Sequence, residues 1–238
     1  MDIDIGTGME EHNILKEEML EIRDEKGTPT GIIKPRSLVH RDGDLHGCSH
    51  IWVVRLRKPA EGENGYQMQV LLQRRSRNKD SFPGLLDISS AGHLDPGETY
   101  ESGAWRELSE ELGIREEDIA GGRLRYLFMF RNEYQTEFYG KPFHDNELDA
   151  VYLAEVNQPE SFFSPQPEEI EEVIWMDARK VLEEKRARNP EYCLPRWEFE
   201  ELYPHLQAFE KFANEGHEWT WKEYIRKNYQ NWKPQARN

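Results

Sequence analysis

The stretch from Gly92 to Ile114, GHLDPGETYESGAWRELSEELGI, constrains this chain more than any other part of it. From Glu101 to Leu112 it reads as a helix, made of good helix formers and stopped by Gly113. Glu107, Glu110 and Glu111 then fall at i, i+3 and i+4, on one face of that helix. Three like charges at that spacing repel and destabilise a bare helix. Two readings fit such a face. One is a solvated surface, where interleaved Lys or Arg usually relieves the repulsion; only Arg106 and Arg115 are near. The other is a site for a hard divalent cation, since clustered carboxylate oxygens suit Mg²⁺ or Mn²⁺. Asp95-Pro96-Gly97 makes a tight loop ahead of the helix, able to bring the Gly92 carbonyl beside such an ion. Glu98 and Glu101 fall near the helix N-terminus, where negative charge is favoured.

The flanking sequence supplies strands for this helix to pack on. Glu18 to Arg23 alternates and is followed by a Gly27 turn, predicting a hairpin that ends near Lys34. Strands are also predicted over 50–56, 67–74, 86–90, 126–131, 148–156 and 173–176. Asp177 caps a further helix reaching about Arg188, and Pro195 to Lys233 reads as helical and aromatic. The expected fold is α/β (α+β), an α/β/α sandwich around a mixed sheet. Expected units are an extension with the hairpin over 1–35, the central domain over 36–190, and a helical extension over 191–238 packed on it. The 238 residues are enough to bury a core without staples. Net charge is −15, which argues against a nucleic-acid partner, because phosphate contacts need a basic face. Cys48 and Cys193 are too few for a disulfide framework and point to a reducing cytoplasm. No leader-like segment and no apolar run of membrane-spanning length is read, so no membrane partner is expected.

The Gly92–Ile114 stretch has Gly, five free positions, Glu98, seven free positions, Arg106-Glu107, Leu108, a free position, Glu110-Glu111, a free position, Gly113 and Ile114. It resembles the signature of the Nudix hydrolase superfamily at every fixed position, a match whose chance occurrence is on the order of 10⁻⁷ at ordinary residue frequencies. The resemblance implies hydrolysis of a diphosphate linkage in a small-molecule substrate, such as a nucleoside diphosphate derivative, by metal-activated water. It implies Mg²⁺, or Mn²⁺, held by Glu107, Glu110 and Glu111 with Gly92, and Glu147 or Asp145 is the candidate for an additional ligand. Arg106 would pair with a carboxylate, Glu98 being the candidate, and Leu108 and Ile114 would pack inward. The general base would be a glutamate of this box or Glu147 from a later segment.

A looser resemblance runs over most of residues 20–215, to the branch near isopentenyl diphosphate isomerase. It rests on Leu71 to Ser76, Lys79 to Gly84, Ala91-Gly92-His93, Asp145-Asn146-Glu147, His50 and Trp197. The isomerases carry a cysteine where this chain has Ala91, and a methyl group cannot move the proton that double-bond migration needs. Hydrolysis is therefore expected; isomerisation, or binding by a non-catalytic nucleotide sensor, is the alternative.

Several further groups are candidates. His40, Asp42, Asp44, His46 and His50 read as a polar loop at the substrate entrance, with a second metal site as the alternative. Arg74, Arg75 and Lys79, together with Arg77, are the one basic concentration and are candidates for the substrate phosphates. Strand alternation sends Arg74 and Arg75 to opposite faces, so at most one of that pair reaches the site. Trp197, Phe199, Tyr203, Phe209 and Phe212 recur near helical period and read as core or lid. Trp219, Trp221, Tyr224, Tyr229 and Trp232 either close over the sheet or join two copies in a homodimer.

Overall fold

A computed structural model describes residues 17–215, apart from 60, 63, 64, 80 and 196. Strands β1 (Met19–Arg23) and β2 (Pro29–Pro35) form the antiparallel hairpin. Its turn is locked by Asp24, whose carboxylate accepts hydrogen bonds from the amides of Lys26 and Thr28 at 2.9 and 2.8 Å. The central sheet contains β3 (His46–Arg57), β4 (Gln67–Arg75), β5 (Leu86–Asp87), β6 (Ser90–His93), β7 (Arg125–Phe138), β8 (Lys141–Glu155) and β9 (Ile170–Asp177). The strands run β5-β4-β3-β8-β7, with β6 paired to β3 and β9 to β4. The β3–β8 pair is parallel and the others are antiparallel, so the sheet is mixed. Strand β3 forks: residues 54–57 pair with β4, residues 48–51 with β6. Buried Ser89 plugs the fork, its hydroxyl accepting from the Val53 amide at 2.8 Å.

Helices cover both faces. Helix α1 (Arg36–Asp42) leads into β3, and α2 (Tyr100–Leu112) buries Ala104, Leu108 and Leu112 against Ile51, Val53 and Tyr152. Helices α3 (Ala178–Arg186) and α4 (Glu198–Asn214) bury Val181, Leu182, Phe199, Leu202 and Leu206 with Trp52, Val54 and Val151. Odd and even residues of β3 and β8 thus feed two separate cores, as a strand's period of two requires. The aromatic series Phe199, Tyr203, Phe209 and Phe212 of α4, with Trp197 just before it, is core. Trp219, Trp221, Tyr224, Tyr229 and Trp232 lie outside the described residues, as do residues 1–16.

Three sequence expectations need correction. The segment from His40 to His50 is not a polar loop: His40 lies in the last turn of α1, β3 starts at His46, and His40, His46 and His50 are all buried. Polar side chains hid the strand, because its inward face is made of ligand-type residues rather than aliphatic ones. Strands β7 and β8 also run well beyond 126–131 and 148–156, pairing out to Phe138–Lys141. Their outer halves show no apolar alternation because they leave the core. Asp145 to Glu147 therefore sit within β8 and not in a loop before it.

Candidate metal and phosphate site

Helix α2 is set in place by its two ends. Thr99 caps it, accepting from the Ser102 amide at 3.1 Å, while Ser102 reciprocates to Thr99 N at 3.0 Å. Gly113 closes it with φ of 71°. Ala104, Leu108, Leu112 and Ile114 are fully buried, which sets the rotation of the helix and turns Glu107, Glu110 and Glu111 toward one cavity.

That cavity has a volume of about 540 Å³. One wall is the glutamate ladder. Arg106 organises it with five hydrogen bonds of 2.6–3.2 Å: both oxygens of Glu98, the carboxylates of Glu107 and Glu110, and the His93 carbonyl. Glu98 in turn accepts from the Asp95 amide at 2.8 Å, which closes the Asp95-Pro96-Gly97 loop. Gly92 is needed for packing. A Cβ there would stand 2.0 Å from the Glu107 carboxylate, so only glycine lets the strand and that carboxylate approach.

The ladder is electrostatically unfinished. Glu111 is 5% exposed, and its Oε2 has no hydrogen-bond partner among the described residues. Burial, and after it the charge of Glu107, push Glu111 up to about 8. Burial also raises Glu107, against the pull of Arg106. A divalent cation is the group that fits this donor set: hard carboxylate oxygens, one orphaned, with no lysine in the ladder.

The opposite wall brings together His40, His46, His50 and Glu147, which sequence reasoning singled out separately, with Cys48 and Asp149, to which it gave no role. In β3, His46, Cys48 and His50 alternate onto one face; the parallel partner β8 adds Glu147 and Asp149 to that face. Strand β6 adds His93, opposite Cys48, and Ala91, opposite His50. Donor atoms of His40, His46, His93 and Glu147 all lie within 4.8 Å of one another. Glu147 stands at 3.1 Å from His93 Nε2 and 3.4 Å from His46 Nε2. His93 Nδ1 meets Glu18 at 2.9 Å. Burial disfavours charge on His93, but the hydrogen bonds to Glu147 and Glu18 outweigh it and raise His93 to about 10. Burial works against the Glu147 charge as well, yet His46 and His93 hold that carboxylate well below its usual range. Asp42 and Asp44 turn away from this cluster and meet Lys34.

The basic candidates divide. Arg75 and Lys79 line the cavity. Arg75 is held by Asp87 at 3.0 Å and by Ser81, and Lys79 is paired with Glu169. Arg74 leaves on the other side of the strand, to Glu172 at 2.7 Å, and Arg77 is exposed, 3.4 Å from Glu171. Cys48 and Cys193 also border the cavity despite their distance in sequence. Glu18, Asp149 and Glu198 had no motif to reveal them. The only signal was an odd charge in an alternating or apolar pattern.

A NUDIX domain model matches residues 53–197 of this chain. A protein of Arabidopsis thaliana named Nudix hydrolase 3 is 36% identical over 180 residues, 75% of this chain and 22% of that protein. An isopentenyl-diphosphate Delta-isomerase of Klebsiella pneumoniae is 28% identical over 159 residues, 67% of this chain and 76% of its own length. A solved structure from Deinococcus radiodurans shares the fold with a TM-score of 0.53 at 21% identity, over 71% of this chain and 90% of that one. The chain belongs to the NUDIX domain family, and the isomerases are among its relatives. It spans less than two thirds of the length of the first curated relatives it matches. Among the described residues no helix is long and apolar enough to cross a membrane.

Proposed function

We propose that this chain hydrolyses a diphosphate linkage in a small substituted diphosphate, with Mg²⁺, or Mn²⁺ in its place, as the resident metal. The observation that carries the reading is the ladder of Glu107, Glu110 and Glu111 on one cavity wall, with a buried carboxylate oxygen left unpartnered. Those three glutamates and the Gly92 carbonyl would hold the metal. When bound, the ion would activate water and offset the charge developing on the phosphates. Arg106 keeps the carboxylates in register and the loop of Glu98 closed. Arg75 and Lys79, which line the cavity, would meet the outer phosphate, exchanging part of their pairing with Asp87 and Glu169 for it.

The base is assigned within the box and not to Glu147. Glu147 is committed to two imidazoles, which hold its charge and make it a weak proton acceptor. Ala91 supports hydrolysis over isomerisation: it faces His50 in the β3–β6 pairing and offers no exchangeable proton.

The test is release of orthophosphate or monophosphate with Mg²⁺ across a panel of nucleoside, dinucleotide, sugar-nucleotide and prenyl diphosphates. Turnover of at least one member, lost on Glu110→Gln and on chelation, supports the reading. Tight binding of one member without turnover would replace it with a sensor.

A further inference from the structure

We propose that Cys48, His50, Glu147 and Asp149 form a second cation site, of zinc type, which shares Glu147 with the histidine cluster. The four are buried, and their donor atoms lie within 4.8 Å of one another. Ligands of a tetrahedral zinc stand about 3.3–3.8 Å apart for bond lengths of roughly 2.0–2.3 Å, so little contraction is needed.

Hydrogen bonding alone leaves this group incomplete. Asp149 is 0% exposed, and neither carboxylate oxygen has a hydrogen-bond partner among the described residues. A buried carboxylate in that state is costly. The nearest imidazole is His50, but its Nδ1 already meets Glu198 Oε2 at 2.8 Å. Glu198 is itself fixed, its Oε1 accepting from Trp52 Nε1 at 2.7 Å. With Nδ1 engaged by Glu198, Nε2 is the ring atom left to face Asp149. The Nε2–Oδ2 separation is 3.8 Å, too long for a hydrogen bond. It falls at the spacing of two ligands on opposite sides of one metal.

The surroundings repeat the pattern of metal-bound histidines, which donate their second ring N–H to a carboxylate or carbonyl. Glu198 plays that part for His50. One thiol, one imidazole and two carboxylates suit Zn²⁺ or Co²⁺ better than Mg²⁺. The site draws on none of the ladder glutamates, so it stands or falls separately from the hydrolase reading.

The experiment uses the full chain stripped with chelator, then titrated with Zn²⁺ and with Co²⁺ and dialysed. Wild type is expected to keep one equivalent of Zn²⁺ more than a variant lacking this site and, with Co²⁺, to show a thiolate-to-cobalt charge-transfer band. Cys48→Ser should remove the band, and Asp149→Asn should lower the zinc content by one equivalent. His46→Gln, outside the four ligands, should retain the band. Absence of the band in wild type overturns the proposal whether or not the variants fold. So does unchanged zinc stoichiometry in folded Asp149→Asn. Turnover that depends on Glu110, without a band, would discard this site and keep the hydrolase.

Discussion

In buffer containing chelator, replacing Glu111 with Gln is expected to stabilise the fold, by an amount that grows with pH. In the unfolded chain this carboxyl loses its proton near the ordinary value of 4.5; in the fold, burial and then Glu107 hold it to about 8. Between those values the folded state binds a proton that the unfolded state has released. Stability from this group is therefore complete below the lower value and is lost as pH rises toward the upper one. The linkage amounts to about 1 kcal/mol near pH 5, about 3 near pH 7 and roughly 5 above about pH 8. Gln keeps the shape and removes the titration, so the gap between variant and wild type in urea unfolding should widen along that series. Asp145, which burial and Glu147 also raise to about 8, is common to both chains and cancels in the difference. Saturating Mg²⁺ should stabilise wild type and narrow the gap, because a ligand bound only by the native state adds to its stability. A gap that stays constant from about pH 5 to about pH 8, or a Gln variant less stable than wild type at the upper end, would refute the claim that Glu111 is an uncompensated buried charge.

Three further outcomes follow from the same geometry. Gly92→Ala places a methyl group 2.0 Å from the Glu107 carboxylate, and displacing that ligand should lower Mg²⁺-dependent turnover at least about 100-fold, measured as kcat against metal concentration. Arg106→Lys keeps the charge but cannot bridge Glu98, Glu107 and Glu110 together; metal affinity is expected to fall about 10- to 100-fold by titration, with the melting temperature changing less. Leu108→Ala empties a fully buried position between α2 and the sheet and should cost about 2–5 kcal/mol in urea unfolding, leaving metal affinity of the folded fraction near wild type.

What was legible in the sequence was what lies close together in the chain. Helical spacing put Glu107, Glu110 and Glu111 on one face, and the family resemblance of the 23 residues from Gly92 to Ile114 implied the pairing of Arg106 with Glu98 and the inward Leu108 and Ile114. The members of the second wall were named singly, but their meeting was not legible because it is assembled across strands. His46 meets Glu147 only through the parallel β3–β8 register, and His50 meets Glu198 across 148 residues. The histidines were read as a loop for a related reason. Sequence patterns recognise a strand by its apolar inward face, and here that face carries imidazole, thiol and carboxylate. Arg74 and Arg75 show the opposite case: alternation alone correctly sent them to different sides, but only the structure shows which of them borders the cavity.

Strand β6 explains how one cavity comes to have two chemically different walls. Its residues alternate, so Ala91 and His93 face the imidazole side, across from His50 and Cys48, while Gly92 faces α2. Because Gly92 has no side chain, Glu107 closes onto the backbone from the α2 side, and the His93 carbonyl is gripped by Arg106 at 2.8 Å. The same three residues thus bring the carboxylate ladder and the histidine cluster against opposite faces of one short strand. A larger residue at 92 would separate the ladder from the strand. A cysteine at 91 would instead put a thiol opposite His50. On this reasoning position 91 acts on the imidazole face and position 92 on the ladder face of β6.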